Sequence, residues 1–181
     1  MNKKKTLIFS IISILVVTFI YETKSIQKII YPKKYAEYVS KYSEQFKVDE
    51  NLVYSVIKAE SKFDKDAVSH KSAKGLMQIS EITQNWAMEE MKLGSINIFD
   101  PETNIMIGCW YLDKLNKEFE NLDLVIAAYN GGSGNVSKWL KNKNYSENGL
   151  NLHSIPFEET DNYVKKVKKY YKKYSDIYKE R

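Results

Sequence analysis

The sequence is poor in the residues that make covalent or metal frameworks. Cys109 is the only cysteine among 181 residues, so no intrachain disulfide can form. The two histidines, His70 and His153, stand far apart, in no HExxH spacing and beside no cysteine cluster. That argues against zinc, and no metal or cofactor is expected. GGSG at residues 131–134 lacks the Gly-Lys-Ser/Thr of a phosphate loop and follows no strand pattern. A Gly-x-Ser-x-Gly elbow is missing too. Alternating strand patterns of useful length, internal repeats and low-complexity linkers are also lacking, although a small hairpin inside a loop stays open.

What is present is a hydrophobic fraction of 43% and a net charge of +5, with fourteen tyrosines. This is the composition of a folded domain with a core. Tyrosine suits wet carbohydrate grooves and helix packing alike. Much of the positive excess lies in YVKKVKKYYKKY, where helical spacing makes it a solvated face. No sorted set of basic and aromatic residues points to nucleic acid, so none is expected as a partner. At the N-terminus, MNKKK precedes the uncharged run Thr6 to Tyr21. A basic leader before an apolar run reads as a signal segment or a membrane anchor. The run is short against the ~20 residues of a typical spanning helix. No small-x-small cleavage site follows in ETKSIQ, which favours an uncleaved anchor with Tyr21 at headgroup level. Lys3 to Lys5 then stay inside and the rest lies outside the membrane, or is secreted if the segment is cleaved; Lys24 and Lys28 weaken that orientation. The expected division is a signal or anchor helix at 1–21, a tether at 22–31 and a mainly α domain at 32–181.

Within that domain the periodicity is helical. Tyr35, Val39, Tyr42 and Phe46 form one stripe. Asp49 is placed to cap a helix whose apolar face is Leu52, Val53, Val56 and Ile57. Another helix starts at Ser80 and stops near Gly94, and Asp100-Pro101 opens a further one. DLVIAAYNGG, apolar on every side, belongs at the centre. GNVSKWLKN adds a small helix, and Tyr163, Val167, Tyr170, Tyr174 and Ile177 share one side of the last. Glu60 falls in the final turn of the Asp49 helix, where the backbone carries partial negative charge and the neighbours are apolar. Both raise a carboxyl pKa, and a carboxyl protonated near neutrality suits a general acid. A surface glutamate beside Lys58 and Lys62 is the plainer reading of the residue alone.

AESKF, AVS, GLMQIS, AAYNGG and IPFEETDNYV occur in that order, with DPETNIMIGCWYL between. Together they resemble the catalytic domain of the soluble lytic transglycosylases, the lysozyme-like peptidoglycan-cleaving family, over roughly Phe46 to Tyr174. The resemblance implies a lysozyme-like helical domain with a substrate groove. It implies Glu60 as the sole catalytic acid/base. Ser69, Met77, Gln78, Tyr129, Asn130, Glu159 and Tyr163 are implied as substrate-binding residues. By residue type alone, Met77 also reads as core and Tyr163 as helix packing. Gly75 is expected to allow close backbone approach beside the acid, and Gly131 to take a left-handed cap. The chain departs from the family in having Ser80 and Glu81 where Met-Pro often stands, and Gly131 and Gly132 where Ala often follows AYN. The implied reaction is substrate-assisted cleavage between N-acetylmuramic acid and N-acetylglucosamine, with the muramyl 6-hydroxyl as nucleophile and a 1,6-anhydro end as product. The alternatives are a hydrolytic goose-type muramidase using Asp64 or Asp66, and a non-catalytic glycan-binding subunit of an envelope complex.

Overall fold

The computed structural model describes residues 3–179; the side chains at 20–22 and 24 lie outside that description, and with them the readings placed on Tyr21 and Lys24. Among the described residues the regular structure is helical, and the only β-pairing is two isolated antiparallel bridges, Val68 to Lys74 and Lys74 to Ile79. The helices are α1 (Lys3–Glu22), α2 (Lys24–Ile30), α3 (Ala36–Phe46), α4 (Glu50–Glu60), α5 (Glu81–Glu90), α6 (Pro101–Glu118), α7 (Leu122–Gly131), α8 (Ser133–Leu140) and α9 (Glu158–Tyr178).

Capping explains most of the starts. Asp49 accepts from Asn51 N at 2.7 Å, Ser80 from Thr83 N at 3.1 Å and Asp100 from Thr103 N at 2.9 Å. Each satisfies an amide that the helix itself leaves unpaired, worth about 1 kcal/mol. The stop of α5 differs from expectation. Lys92 turns left-handed at φ 51° and Leu93 N closes on Met88 O at 2.9 Å, so the helix ends at Glu90, ahead of Gly94.

Two helices share the centre. Residues 52–57 of α4 are buried on every side, and so are 124–128 of α7. Helix α9 packs on both, burying Tyr163, Val164, Val167, Tyr174 and Ile177. Helix α6 closes the far side against α3 and α7, with Cys109 fully buried. The expected tether is in fact helix α2, seated on α9: Tyr174 Oη donates to Pro32 O at 3.0 Å and Tyr178 Oη to Tyr31 O at 2.8 Å. Helix α1 leaves its apolar side chains exposed, Phe9 and Phe19 by about three quarters. Among the described residues no helix is long and apolar enough to cross a membrane.

Between α4 and α5 lie twenty residues without a helix, 61–80. A loop this long needs internal hydrogen bonds to hold one shape. Ser69 N donates to Ala73 O, Gly75 N to Ala67 O, and Lys74 and Ile79 exchange both of theirs, all at 2.9–3.0 Å. Asn104 on α6 completes the set. Its side chain accepts from Met77 N at 2.8 Å and donates to Lys74 O and Ile98 O at 3.0 and 2.9 Å. Gly75, at φ 76°, lies against this carboxamide, where a methyl group would overlap Nδ2. The close approach expected of Gly75 is therefore to Asn104 and not to the acid.

Asn104→Leu removes all three bonds and strands buried backbone groups. It is expected to lower stability by about 3 kcal/mol in urea unfolding; a loss below about 1 kcal/mol would show that the loop holds itself.

Candidate active site

Glu60 is the last residue of α4, on which α9 packs, bringing Tyr163 and Lys166 beside the carboxyl, with Tyr129 of α7 also near enough to feel its charge. Its carboxyl is pushed up to about 7, first by burial; the nearby negative charge of Glu159 adds to the rise. Tyr163 and Lys166 act the other way by favouring the ionised form. Lys166 Nζ donates to Ala59 O at 3.1 Å, so its ammonium is fixed at the end of α4. The Tyr163 hydroxyl is oriented toward Glu60 but closes no hydrogen bond of standard geometry with any group. This balance leaves the carboxyl able to hold or release a proton near neutral pH.

In front of Glu60 lies a groove of about 430 Å³. Six of the eight residues proposed from sequence line it: Glu60, Ser69, Gln78, Tyr129, Asn130 and Glu159. The side chains of Met77 and Tyr163 do not. Met77 is fully buried against Gly108, where a methyl group would overlap its sulfur, so it is core and not groove floor. It serves the site through its backbone, since Met77 O accepts from Tyr129 Oη at 2.8 Å. Tyr163 is 4% exposed and meets the acid from behind.

The lining residues are already partly committed. The Gln78 side-chain nitrogen donates to Ala67 O and Gly75 O at 3.1 and 2.9 Å, which leaves the carboxamide oxygen for a ligand. Gln78 also sits in the left-handed region at φ 50°, where a non-glycine residue is held only by its surroundings. Ser69 Oγ accepts from Lys71 N and Ala73 N at 3.2 and 3.0 Å, so only its proton is free to donate. Asn130 Oδ1 accepts from the buried Thr160 hydroxyl at 2.8 Å. That fixes the carboxamide's orientation, with its nitrogen on the Glu159 side. Gly131, expected to take a left-handed cap, stays helical and lies against Thr160 and Trp139; Gly132 follows it with φ 85° and ψ 137°, a positive-φ conformation open to glycine but outside the left-handed helical region.

Sequence reasoning missed Tyr111, His70 and Lys71, all of which line the groove. Tyr111 packs on Tyr129 at 5.4 Å between ring centres, so these two rings form the aromatic part of the wall, and Trp110 and Trp86 contact Tyr111 outside the groove lining. Asp64 and Asp66 are exposed outside the groove, with Asp66 paired to Lys65 at 2.9 Å. Among the described residues no group of three or more His, Cys, Asp or Glu is arranged to hold a metal ion.

The raised carboxyl has a consequence for stability. The folded protein keeps the Glu60 proton up to about pH 7, whereas the ordinary carboxyl releases it near 4.5. The folded state thus binds more protons in that window, and wild-type stability falls as pH rises through it. Glu60→Gln is expected to match the wild type near pH 5 and to exceed it by about 2 kcal/mol at pH 8. Melts at both pH values test this; a difference independent of pH contradicts the burial of the carboxyl.

The sequence and the fold both have known relatives. The family model of the transglycosylase SLT domain matches residues 37–151. The soluble lytic murein transglycosylase of Escherichia coli is 34% identical over 149 residues, covering 77% of this chain and 23% of the relative. The membrane-bound lytic murein transglycosylase C of Edwardsiella ictaluri is 37% identical over 116 residues, covering 57% of this chain and 32% of the relative. The crystal structure of the 70 kDa soluble lytic transglycosylase from Escherichia coli superposes with a TM-score of 0.74 at 27% identity, over 85% of this chain and 26% of that one. The chain thus spans about a quarter to a third of the length of these relatives. The groove around Glu60 and the matched residues lead to one assignment: the chain belongs to the transglycosylase SLT domain family.

Proposed function

We propose that this protein is a peptidoglycan lytic transglycosylase, cleaving the β-1,4 bond from N-acetylmuramic acid to N-acetylglucosamine without water. The observation that carries this is a single half-shielded carboxyl, Glu60, raised to about 7 at the wall of a groove lined by both polar and aromatic side chains. The partner is a peptidoglycan glycan strand.

The reaction runs through Glu60 twice. The protonated carboxyl donates to the glycosidic oxygen, and the N-acetylglucosamine side leaves as an alcohol. The muramyl N-acetyl oxygen stabilises the cationic carbon. The Glu60 carboxylate, favoured for that moment by Lys166 and the Tyr163 hydroxyl, takes the proton of the muramyl 6-hydroxyl. O6 bonds to C1, Glu60 is again protonated, and no water is consumed. The tethered nucleophile has the proximity advantage of an intramolecular attack. The hydrolytic alternative through Asp64 or Asp66 loses support, since neither residue reaches the groove.

The location outside the cytoplasm is part of the same proposal. Helix α1 exposes Leu7, Ile8, Phe9, Leu15, Val17 and Phe19 to its surroundings behind the basic Lys3–Lys5. An apolar helix of this kind is suited to seating in a membrane with its basic end inside. N-terminal sequencing of the membrane fraction tests the seating; a mature soluble chain lacking residues 1–21 replaces the anchor with a cleaved signal and a secreted domain, and an intact chain confined to the cytoplasm overturns the location.

Digested peptidoglycan is expected to carry 1,6-anhydromuramic ends by mass spectrometry, and reducing muramic ends would replace the proposal with hydrolysis. Glu60→Gln is expected to lose activity by about 10³-fold, and Asp64→Asn to keep it. Turnover by the wild type is expected to fall as pH rises past about 7, where Glu60 loses the proton it must donate. A rate that keeps climbing to pH 9 excludes Glu60 as the acid.

A further inference from the structure

We propose that Lys71 is a specificity-determining residue that recognises a carboxylate carried by the muramic acid unit of a bound glycan. The inference rests on the peptidoglycan reading of the groove and names the feature of the polymer that the groove detects.

Lys71 is the lysine among the groove-lining residues, and it stands at the rim. The local backbone is shaped to present it. Ser69 Oγ accepts from Lys71 N and Ala73 N, Ser72 N returns to Ser69 O at 2.9 Å, and Ser72 is held left-handed at φ 61°. From this turn the side chain reaches Glu159 at the start of α9, with Nζ 3.0 Å from Oε2. Both side chains are about two thirds exposed. An exposed ion pair of this kind contributes little to stability, so fold stability is a poor reason for it.

Its electrostatic role is clearer. The carboxylates in the lining are Glu60 and Glu159. Glu159 is held below its usual range first by the hydrogen bond from Lys71, and so it stays charged. Without Lys71 the groove would repel an anionic ligand. With Lys71 in place Glu159 is neutralised, and the ammonium has three donors, of which Glu159 takes one. Two remain for a second carboxylate facing the groove, in a Glu159–Lys71–ligand arrangement. His70, exposed beside Lys71 and also lining the groove, favours negative charge at the same rim.

The two sugars of peptidoglycan differ in one substituent. Muramic acid carries a lactyl group at O3, ending in a carboxylate or in an amide to a peptide stem. N-acetylglucosamine carries neither. A glycan seated in the wrong register by one sugar presents the wrong unit to Glu60. A cation at the rim that detects the muramic substituent therefore sets the register before chemistry begins. Rim charges act in this way on partner choice more than on affinity.

The test separates this inference from the reaction itself by measuring binding to Glu60→Gln. The ligands are three muramic-acid-containing oligosaccharides: one with free lactyl carboxylates, its lactyl methylamide, and one bearing peptide stems. The free acid is expected to bind about fivefold more tightly than the methylamide at low salt, a gap that narrows as salt screens the exposed charge. Adding Lys71→Met is expected to abolish the gap, and Lys71→Arg to retain it. A gain confined to the stem-bearing ligand, and lost in Lys71→Met, assigns the carboxylate to the peptide. Equal binding of acid and methylamide together with no Lys71-dependent gain on stems, a gap that survives Lys71→Met, or no binding of any of the three overturns the inference. Failure of the transglycosylase reading shows separately, in the chemistry of the wild-type product ends.

Discussion

The geometry of the groove depends on three hydrogen bonds from Asn104. Its carboxamide reaches out of α6 and ties down Lys74, Met77 and Ile98. The loop it anchors has no helix and only two isolated bridges, and it enters the left-handed region at Lys62, Phe63, Ser72, Gly75 and Gln78. Backbone of that kind persists only when its surroundings over-determine it. Asn104 is fully buried, and its bonds to Met77 N and Ile98 O satisfy backbone groups in the place of water, while the third adds to the bond that Lys74 O already accepts from Ile79 N. Through Met77 the anchorage continues to Tyr129, whose hydroxyl donates to Met77 O. One polar residue in the core thus links the loop carrying Ser69, Lys71 and Gln78 to the helix end carrying Tyr129 and Asn130.

On the other side of the groove the organising constraint is electrostatic. Glu60 sits where its charge is disfavoured, and the structure keeps that penalty moderate instead of removing it. A direct lysine–carboxylate pair would hold the residue ionised and useless as an acid. Lys166 instead binds the backbone at Ala59, near enough to matter and committed elsewhere. Tyr163 turns its buried hydroxyl toward the carboxyl, an orientation that favours the ionised state of Glu60. Tyr129, also close, is pushed well above its ordinary pKa, first by burial and then by the Glu60 charge, and so stays a neutral donor. The arrangement exchanges some folding stability for a proton that moves easily near pH 7, as expected of an active-site carboxyl.

Much of this was legible in the sequence, for identifiable reasons. The helices could be located because Asp49, Ser80 and Asp100 cap them and their apolar faces repeat at the helical period. The centrality of α7 followed from an apolar run too uniform for a surface helix. Glu60 stood out as a charge at the end of a buried face. The roles inside the motifs were less legible. Met77 and Gln78 are neighbours, yet one side chain is core and the other lines the groove, because Gln78 turns left-handed between them and the helix that follows. No periodicity applies to a loop, so the distinction could not be read. Lys71, Asn104 and Thr160 take their meaning chiefly from partners 27 to 88 residues away, although Asn104 also reaches Ile98 O nearby, and nothing adjacent in the chain announces them. Residues 22–31 lacked a long stripe, and the tyrosines of α9 that hold the end of their helix through Tyr31 O and Pro32 O lie more than 140 residues away.

The contacts of α2 on α9 bear on how the groove is mounted. Tyr31 packs edge-on against Tyr170 and Tyr174, with ring centres 6.0 and 5.6 Å apart. Lys58 of α4 sits over the Tyr31 ring at 4.7 Å while donating to Ile30 O at 2.6 Å. Cation–ring contacts and shared hydrogen bonds of this sort are modest singly, about 0.5–1 kcal/mol at exposed sites, but here they converge on one short segment. Helix α9 therefore carries at one end Glu159 and Tyr163 beside the acid, and at the other the clasp that holds α2. A rotation of α2 that broke the tyrosine packing would be felt along the same helix that buries Glu60. The segment that follows the apolar N-terminal helix is thus packed on one end of α9, while the other end of α9 packs beside the α4 terminus that carries Glu60.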